Sequence, residues 1–193
     1  DATSSTNSSA SGGESGLPVM LFIHGGCNKY GEGSGLPMEN LVALAGDVVV
    51  VAINYRLGVF GWMGGKEIAA TTPDNSSGNF GTQDQRAAMV WVQKNIAQFG
   101  GDPSRVLLFG ESAGASAVSA HLVSEKSRGL FAAAAMESGA FAHWNSIPLE
   151  GAQLLYNDVA TAHGCADLDC LKAVEFEQLY KSTLYTPSPC KYR

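Results

Sequence analysis

The 193-residue chain lacks three features that would point to a particular partner or location. No apolar run approaches the roughly 18 residues that a membrane-spanning helix needs. Lysine and arginine number 12 against 18 acidic residues and form no cluster, which argues against nucleic acid and anionic membrane surfaces as partners. The composition that remains, 45% hydrophobic and 16% charged, is ordinary for a globular protein.

The beginning of the chain lacks an export signal. Residues 1–16 read DATSSTNSSASGGESG, with neither a basic start nor an apolar core, so no signal peptide is visible. They show no periodicity, which predicts a flexible tail or surface loop. The chain also lacks an initiator methionine, and we expect it to be a piece of a longer product.

Cysteine is scarce, and its pairing is undetermined by the sequence. The four cysteines, Cys27, Cys165, Cys170 and Cys190, allow three pairings. Two N-x-S sequons, at Asn7 and Asn75, weakly favour a secreted protein or one of the secretory pathway, although such triplets are frequent by chance.

Four short apolar runs predict the strands of a sheet. Three of them are Val19–His24, Asp47–Tyr55 and Arg105–Gly110. The fourth, AAAAMES over Ala132–Ser138, fits either a strand or a helix. Continuous apolar runs, rather than alternation, are typical of strands covered on both faces, as in a parallel sheet.

Helical patterns lie between and after these runs. A helix is predicted over 82–99 because apolar residues recur there at spacings of three and four, namely Met89, Val92, Ile96 and Phe99. Another should begin at Ser112–Ala113 and run through His121–Leu122. After Pro148 the sequence predicts only short helices, near 150–163, 168–174 and 175–184. Parallel strands joined by helical crossovers make an α/β fold.

The segment Leu107–Gly114 reads LLFGESAG and places a serine between a strand and a helix. This is the setting of a nucleophile elbow, in which a sharp turn forces Ser112 into a strained backbone conformation. Gly110 and Gly114 are needed because a Cβ at either position would clash where strand and helix crowd together. We therefore interpret Ser112 as a nucleophile rather than a turn residue.

A second glycine-containing loop, IHGGCN, follows the first predicted strand. Acyl transfer passes through an oxyanion that preorganised N–H groups must meet, and a glycine-rich loop lets backbone N–H groups turn inward. Alone, the loop would be interpreted as a plain turn. Together with the elbow it predicts an oxyanion hole, to which the N–H of Ala113 also contributes.

Four segments together resemble the type-B carboxylesterase/cholinesterase family of α/β-hydrolases: IHGG, NYRLGVFGW, GNFGTQDQRAAMVWVQKNIAQFGGDPSRV and LFGESAG. The resemblance runs from about Leu17 to at least Leu122, more loosely through Cys170, and is most specific over Asn79–Gly114. It implies an α/β-hydrolase fold with a mostly parallel sheet and helices on both faces, incomplete over residues 17–193. It also implies hydrolysis of a small-molecule carboxylic ester through a serine acyl-enzyme, without a metal or cofactor.

The resemblance carries over to individual positions. Ser112 matches the nucleophile and Ala113 an oxyanion donor, while Gly26 and Cys27 match the second and third glycines of the family's HGGG run. Cys27 departs from this pattern because it places a Cβ where the loop prefers none, and Asn28 replaces the usual aromatic. Two alternatives follow: a reshaped hole with reduced activity, or a cysteine that packs inward without effect.

Further residues match positions that surround the family's site. Glu111 could be a buried carboxylate that steadies a protonated histidine, or an ordinary structural residue. Ser138 resembles a hydrogen-bonded supporting serine. Phe141 and Trp144 match the region that shapes the acyl pocket, with a plain core role as the alternative.

The resemblance also bears on the cysteines. Cys165 and Cys170 fall near a disulfide pair typical of the family, although the loop is shorter here, and two buried thiols are the alternative. Cys27 and Cys190 have no obvious partner.

The base and acid of a catalytic triad are harder to find. In α/β-hydrolases the chain order is serine, acid, histidine. His24 precedes the serine, and His121 lies on the same helix as Ser112, roughly 13 Å along its axis. His143 and His163 come later, with acidic residues nearby at Asp158, Asp167 and Asp169, but none resembles the family's acid or base loops. We expect both groups beyond Arg193, with a local triad on His163 as the alternative.

Two other functions are alternatives to an esterase. A non-catalytic, cholinesterase-like binding or adhesion domain is disfavoured because members of that class often lack the serine that GESAG retains. A different α/β-hydrolase, such as a lipase or thioesterase, is disfavoured by the segment Asn79–Gly114.

Overall fold

Four parallel strands form one sheet at the centre of the structure, a computed structural model that describes residues 16–141 and 146–182. The strands are β1 (Leu17–Ile23), β2 (Val49–Ile53), β3 (Gly101–Glu111) and β4 (Ala133–Glu137). Their spatial order is β2-β1-β3-β4, and every pairing is parallel. The run at Ala132–Ser138, which fitted a strand or a helix, is therefore a strand.

Eight α-helices connect and follow the strands in the described part of the chain. They are α1 (Met38–Ala45), α2 (Gly58–Trp62), α3 (Lys66–Ala69), α4 (Phe80–Asn95), α5 (Ala113–Val123), α6 (Leu149–Ala162), α7 (Leu168–Lys172) and α8 (Phe176–Lys181). Short 3₁₀ helices lie at Gly33–Gly35, Ile96–Phe99 and Glu125–Ser127. The helices predicted after Pro148 are confirmed in number and position, although residues 183 and 184 lie outside the described residues.

The main core lies between one face of the sheet and the helices α4 and α5. Alternate residues of β1 and β3 point toward it because successive side chains of a strand face opposite sides. The buried members of this core are Val19, Leu21, Ile23, Ile53, Tyr55, Met89, Val92, Ile96, Val106, Leu108, Ala117 and Val118. This arrangement fixes the start of α5 against the ends of β1 and β3.

The helix predicted over 82–99 is confirmed in part. Met89, Val92 and Ile96 of this apolar period are buried, whereas Phe99 is 61% exposed. The chain tightens into a 3₁₀ helix after α4, so the 3.6-residue period ends before Phe99. Phe99 instead lies against Trp91, with 5.8 Å between ring centroids.

A smaller core joins α6 and α7 to the short helices α2 and α3. Its buried residues are Val59, Met63, Ile68, Leu155, Tyr156, Val159, Ala160 and Leu171. Polar contacts reinforce the junction, because Lys66 N–H donates to Gln153 Oε1 at 2.7 Å. Among the described residues no helix is long and apolar enough to cross a membrane.

The strand register brings the carboxyl ends of β1, β3 and β4 together on one side of the sheet. Ile23 pairs with Gly110, and Glu111 pairs with Glu137. The residues that follow β1, β3 and β4 therefore meet at the same edge, where ligands bind in open α/β sheets. The predicted tail over residues 1–16 lies outside the described residues, apart from Gly16.

Candidate active site

The turn between β3 and α5 holds Ser112 in a strained conformation. Its backbone has φ 56° and ψ −119°, a positive φ that L-residues rarely adopt. Such a conformation costs about 1–3 kcal/mol and persists only where the surroundings enforce it. The predicted backbone strain at Ser112 is confirmed.

Glycines enforce this turn by leaving room for close backbone contacts. A Cβ on Gly110 would lie 2.6 Å from the carbonyl carbon of Gly114, and one on Gly114 would collide with the carbonyl oxygen of Ile23. A Cβ on Gly139, which follows β4, would collide with the carbonyl oxygen of Ser112. The predicted requirement for Gly110 and Gly114 is confirmed, whereas the contact of Gly139 was not predicted.

Hydrogen bonds fix the backbone of Ser112 on two sides. Its N–H donates to the carbonyl of Glu137 at 2.8 Å, and its own carbonyl accepts from Ser116 N–H at 3.1 Å. The next N–H, that of Ala113, begins α5 and has no acceptor among the described residues. An unpaired N–H at a helix N-terminus is suited to meet a developing negative charge.

The loop after β1 approaches this turn through Gly25. A Cβ on Gly25 would lie 3.1 Å from Ser112 Cβ and 2.7 Å from the carbonyl oxygen of Glu111. The following residues, Gly26 and Cys27, have φ of 104° and 57°. The carbonyl of Gly26 accepts two hydrogen bonds that close the loop, while its N–H has no acceptor among the described residues. The loop thus passes close to Ser112 at Gly25.

Cys27 occupies a position that favours glycine. Its positive φ is unfavourable for a residue with a Cβ, yet the side chain is buried. Its sulfur lies 3.8 Å from Tyr30 Oη and is disulfide-bonded, so the expectation that Cys27 lacks a partner is wrong. Cys190 lies outside the described residues.

His24 and Tyr55 lie beneath the loop. His24 is 4% exposed, its Nδ1–H donates to the Gly25 carbonyl at 2.7 Å, and its ring stacks on Tyr55 with centroids 4.4 Å apart. Tyr55 Oη donates to the His24 carbonyl at 2.6 Å. Burial lowers the pKa of His24 and raises that of Tyr55, which favours the neutral form of both rings. His24 therefore holds the loop, and among the described residues no hydrogen bond joins it to Ser112.

The other described histidines also have partners away from Ser112. His121 is 1% exposed and contacts Ser127 Oγ at 2.9 Å and Gln85 Oε1 at 3.0 Å. Burial lowers the pKa of His121 to about 4, with Arg86 contributing by charge repulsion. His163 Nε2 bonds to Ser182 Oγ at 2.7 Å. The structure thus brings neither His121 nor His163 to Ser112, and His143 lies outside the described residues.

None of the three acidic residues named for a local triad has a hydrogen bond to Ser112 among the described residues. Asp167 caps α7 by accepting the Cys170 N–H at 2.8 Å, and Asp169 pairs with Lys172 at 3.2 Å. Asp158 is exposed on α6.

Among the described residues no cluster of three or more histidine, cysteine, aspartate or glutamate side chains could hold a metal ion.

The supporting residues differ in how they fit their predicted positions. Glu111 is exposed rather than buried, because the described residues leave that side of the turn open. Ser138 follows β4 with φ 55°, next to Gly139, but its hydroxyl has no hydrogen bond among the described residues. Phe141 is 59% exposed and so is not a core residue, and Trp144 lies outside the described residues.

The disulfide between Cys165 and Cys170 is confirmed. The two cysteines are bonded, with their Cα atoms 5.4 Å apart. The bridge joins the end of α6 to α7, and the alternative of two buried thiols is excluded.

A parallel sheet whose strand ends carry a strained serine turn and a glycine-containing loop is the arrangement of an α/β-hydrolase fold. The sequence profile of the Carboxylesterase family matches residues 6–188. The chain belongs to this family.

Known relatives agree with this assignment. The pyrethroid hydrolase Ces2e of Rattus norvegicus is 43% identical over 172 residues, covering 86% of this chain and 29% of the relative. The structure of the Geobacillus stearothermophilus carboxylesterase EST55 at pH 6.2 is 37% identical, with a TM-score of 0.79, covering 88% of this chain and 36% of that one. The chain thus spans about a third of the length of these proteins.

Another relative carries a name that states no hydrolytic activity. Neuroligin-2 of Mus musculus is 44% identical over 162 residues, covering 82% of this chain and 18% of the relative. Sequence identity alone therefore does not establish catalysis. The geometry at Ser112 is the observation that bears on it.

Proposed function

We propose that the protein containing this chain hydrolyses carboxylic esters through an acyl-enzyme on Ser112. The observation that carries the proposal is the strained Ser112 backbone, which places the hydroxyl at the N-terminus of α5 beside the Gly25–Cys27 loop. Strained backbone conformations cluster at active sites, which supports a catalytic role for Ser112.

The reaction uses the groups at this edge in a definite order. Ser112 Oγ attacks the ester carbonyl carbon, its proton passes to a histidine base, and the carbonyl oxygen becomes an oxyanion. The N–H groups of Gly26, Cys27 and Ala113 are proposed to stabilise that oxyanion. The alcohol leaves with the proton from the histidine, and water then releases the acid by the same steps in reverse.

The base and acid are proposed to belong to a part of the protein outside this chain. The histidines that the structure describes are bound to Gly25, Ser127, Gln85 and Ser182 rather than to Ser112. Residues 17–193 would then form part of a longer domain, in line with the length of the relatives. The chain order of serine, acid and histidine in α/β-hydrolases supports this placement.

The surrounding residues are proposed to complete the site. Glu111 and Ser138 flank the turn and would support the histidine once further chain covers them. Phe141 and Trp144 would line the acyl pocket, and the exposure of Phe141 supports a role at a surface that receives substrate or further chain. A secretory location is supported by the Cys165–Cys170 disulfide, since such bonds persist in oxidising compartments.

A non-catalytic binding domain is the alternative function. It is not favoured, because both the serine and its strained backbone are retained. A binding surface would need neither.

The test is labelling with a fluorophosphonate, which reacts with activated serines. The natural full-length protein should be labelled at Ser112, and Ser112→Ala should abolish the label. Ser116→Ala is the matched control, because Ser116 lies one turn along the same helix and is buried. A correctly folded full-length protein that stays unlabelled would contradict the proposal.

A further inference from the structure

The loop between α3 and α4 contains the triplet Asn75-Ser76-Ser77, which has the N-x-S pattern of an acceptor for N-linked sugar. The other such triplet begins at Asn7, outside the described residues. The site around Ser112 makes no use of this loop, so the triplet has to be judged by its own geometry.

Hydrogen bonds shape the loop into a turn that presents Asn75 to solvent. Asn75 N–H donates to the carbonyl of Thr72 at 3.2 Å, and Thr72 Oγ1 donates to the carbonyl of Ser76 at 2.8 Å. Asp74 Oδ1 accepts from Ser76 N–H at 3.2 Å. Asn75 itself has φ 51°, which asparagine tolerates, and its exposed side chain has no hydrogen bond among the described residues.

The third residue of the triplet faces the opposite way. Ser77 Oγ accepts from Gly65 N–H at 2.6 Å and donates to the carbonyl of Gly65 at 2.8 Å. Both the donor and an acceptor site of this hydroxyl are therefore occupied in the folded chain. The asparagine is accessible after folding, but the serine that completes the motif is not.

We propose that Asn75 carries an N-linked oligosaccharide, attached before the loop folds. The amide nitrogen Nδ2 forms a bond to the first sugar of a lipid-pyrophosphate-linked oligosaccharide. The bond from that sugar to pyrophosphate breaks, and the amide loses a proton to a base of the transferase. The Cys165–Cys170 disulfide agrees with passage through the oxidising compartment where this transfer takes place.

The order of events follows from Ser77. A transferase that requires the serine hydroxyl can reach it only while the contact with Gly65 is open. Transfer therefore precedes closure of the loop, and the attached sugar then remains outside the fold because Asn75 is exposed.

The occupancy test uses the full-length protein secreted from eukaryotic cells. Peptide-N-glycosidase in H₂¹⁸O converts a glycosylated asparagine to ¹⁸O-labelled aspartate, which mass spectrometry locates. We expect the label at position 75, its loss in Asn75→Gln, and its retention in the matched control Ser76→Ala, which keeps the motif. A secreted, folded protein with label only at position 7, or with none, would overturn the proposal.

The order is tested in vitro with purified transferase and lipid-linked donor. A synthetic peptide spanning residues 70–80 should accept sugar, whereas folded full-length protein from a non-glycosylating host should not accept it at Asn75. Equal modification of the folded protein and the peptide would refute the order. Because neither experiment measures ester hydrolysis, both stand or fall independently of the proposed activity.

Discussion

Gly25 decides how closely the loop after β1 can approach Ser112, the proposed nucleophile. It lies between β1 and the pair Gly26 and Cys27, and its α-carbon faces both Ser112 and Glu111. Its φ is not in the positive region, so an alanine there would fit the backbone and differ only in the space that it fills. The position therefore separates steric from conformational effects at the level of a single residue.

If the full-length protein has the proposed esterase activity, we predict that Gly25→Ala lowers its kcat/KM by at least about a hundredfold, since losing one oxyanion donor costs 10²–10³ in rate. The new Cβ would lie 2.7 Å from the Glu111 carbonyl and 3.1 Å from Ser112 Cβ, so the loop has to move away. Gly35→Ala is the control, because its Cβ would meet nothing closer than 3.6 Å. Steady-state kinetics that show equal activity for both variants would disprove the loop's role.

The residues of the site differ in how far sequence could reveal them. Ser112 and its flanking glycines were predictable because the whole turn is local and steric. Tyr55 and Gly139 were not, since their contacts come from other strand ends and depend on register. Tyr55 did carry a usable signal, because it ends the run Asp47–Tyr55, which the sequence predicts as a strand of the same sheet. The exposure of Glu111 was not predictable either, because it depends on what covers the turn.

At the scale of elements, the end of α5 is tied to α4 by a buried polar network. His121 on α5 contacts Gln85 on α4 and Ser127 in the 3₁₀ helix that follows α5. The acceptor Gln85 Oε1 requires that Nε2 carries the proton, so Nδ1 of the neutral ring accepts from the Ser127 hydroxyl. The helix carrying Ser112 is thus held at its far end by an imidazole that has to stay uncharged.

This network predicts a pH dependence of stability. The pKa of His121 is about 4 in the fold against an ordinary value of 6.5, so the unfolded chain takes up the proton first. The stabilising contribution is complete above pH 6.5 and is lost as the pH falls toward 4. The loss should be on the order of 3 kcal/mol, since one pKa unit corresponds to about 1.4 kcal/mol.

Urea unfolding of the full-length protein between pH 7 and pH 4 tests this. His121→Gln should be less stable at pH 7 but should show a flatter decline in unfolding free energy toward pH 4. Parallel pH profiles for the two proteins would show that His121 does not titrate in this way.

Helices were predictable where apolar residues kept a helical spacing over many residues, and strands were predictable where an apolar run was continuous. The three β-rich or apolar runs became β1, β2 and β3, and α4 and α5 followed from their patterns. The helices α1, α2 and α3, which span eight, five and four residues, were not predicted from the sequence. The exposure of Phe99 was not predicted, because a change from α to 3₁₀ geometry leaves no mark in the spacing of apolar residues.

At the scale of the whole molecule, β4 is one of the two edge strands of the described sheet, and β2 is the other. β4 pairs with β3 on one side, and Met136 is 39% exposed. An open edge of this kind can pair with another chain. In the longer protein that we propose, further strands would cover it.

We predict that the 193-residue chain alone self-associates with rising concentration, whereas the full-length protein does not do so through this edge. Met136→Lys should weaken the association, because edge lysines oppose strand pairing. Leu122→Lys, which places the same charge on an exposed position of α5, is the control. Sedimentation velocity that shows identical association for both variants would rule out edge pairing.

The order β2-β1-β3-β4 also has a consequence for the timing of synthesis. β1 pairs with β2 early, but its second neighbour, β3, is delayed until the ribosome has added the segment from Ile53 to Glu111. At roughly 5–20 residues per second, this delay lasts about 3 to 12 seconds. Asn75 lies within that segment, so the proposed sugar acceptor is translated while the sheet is still half formed.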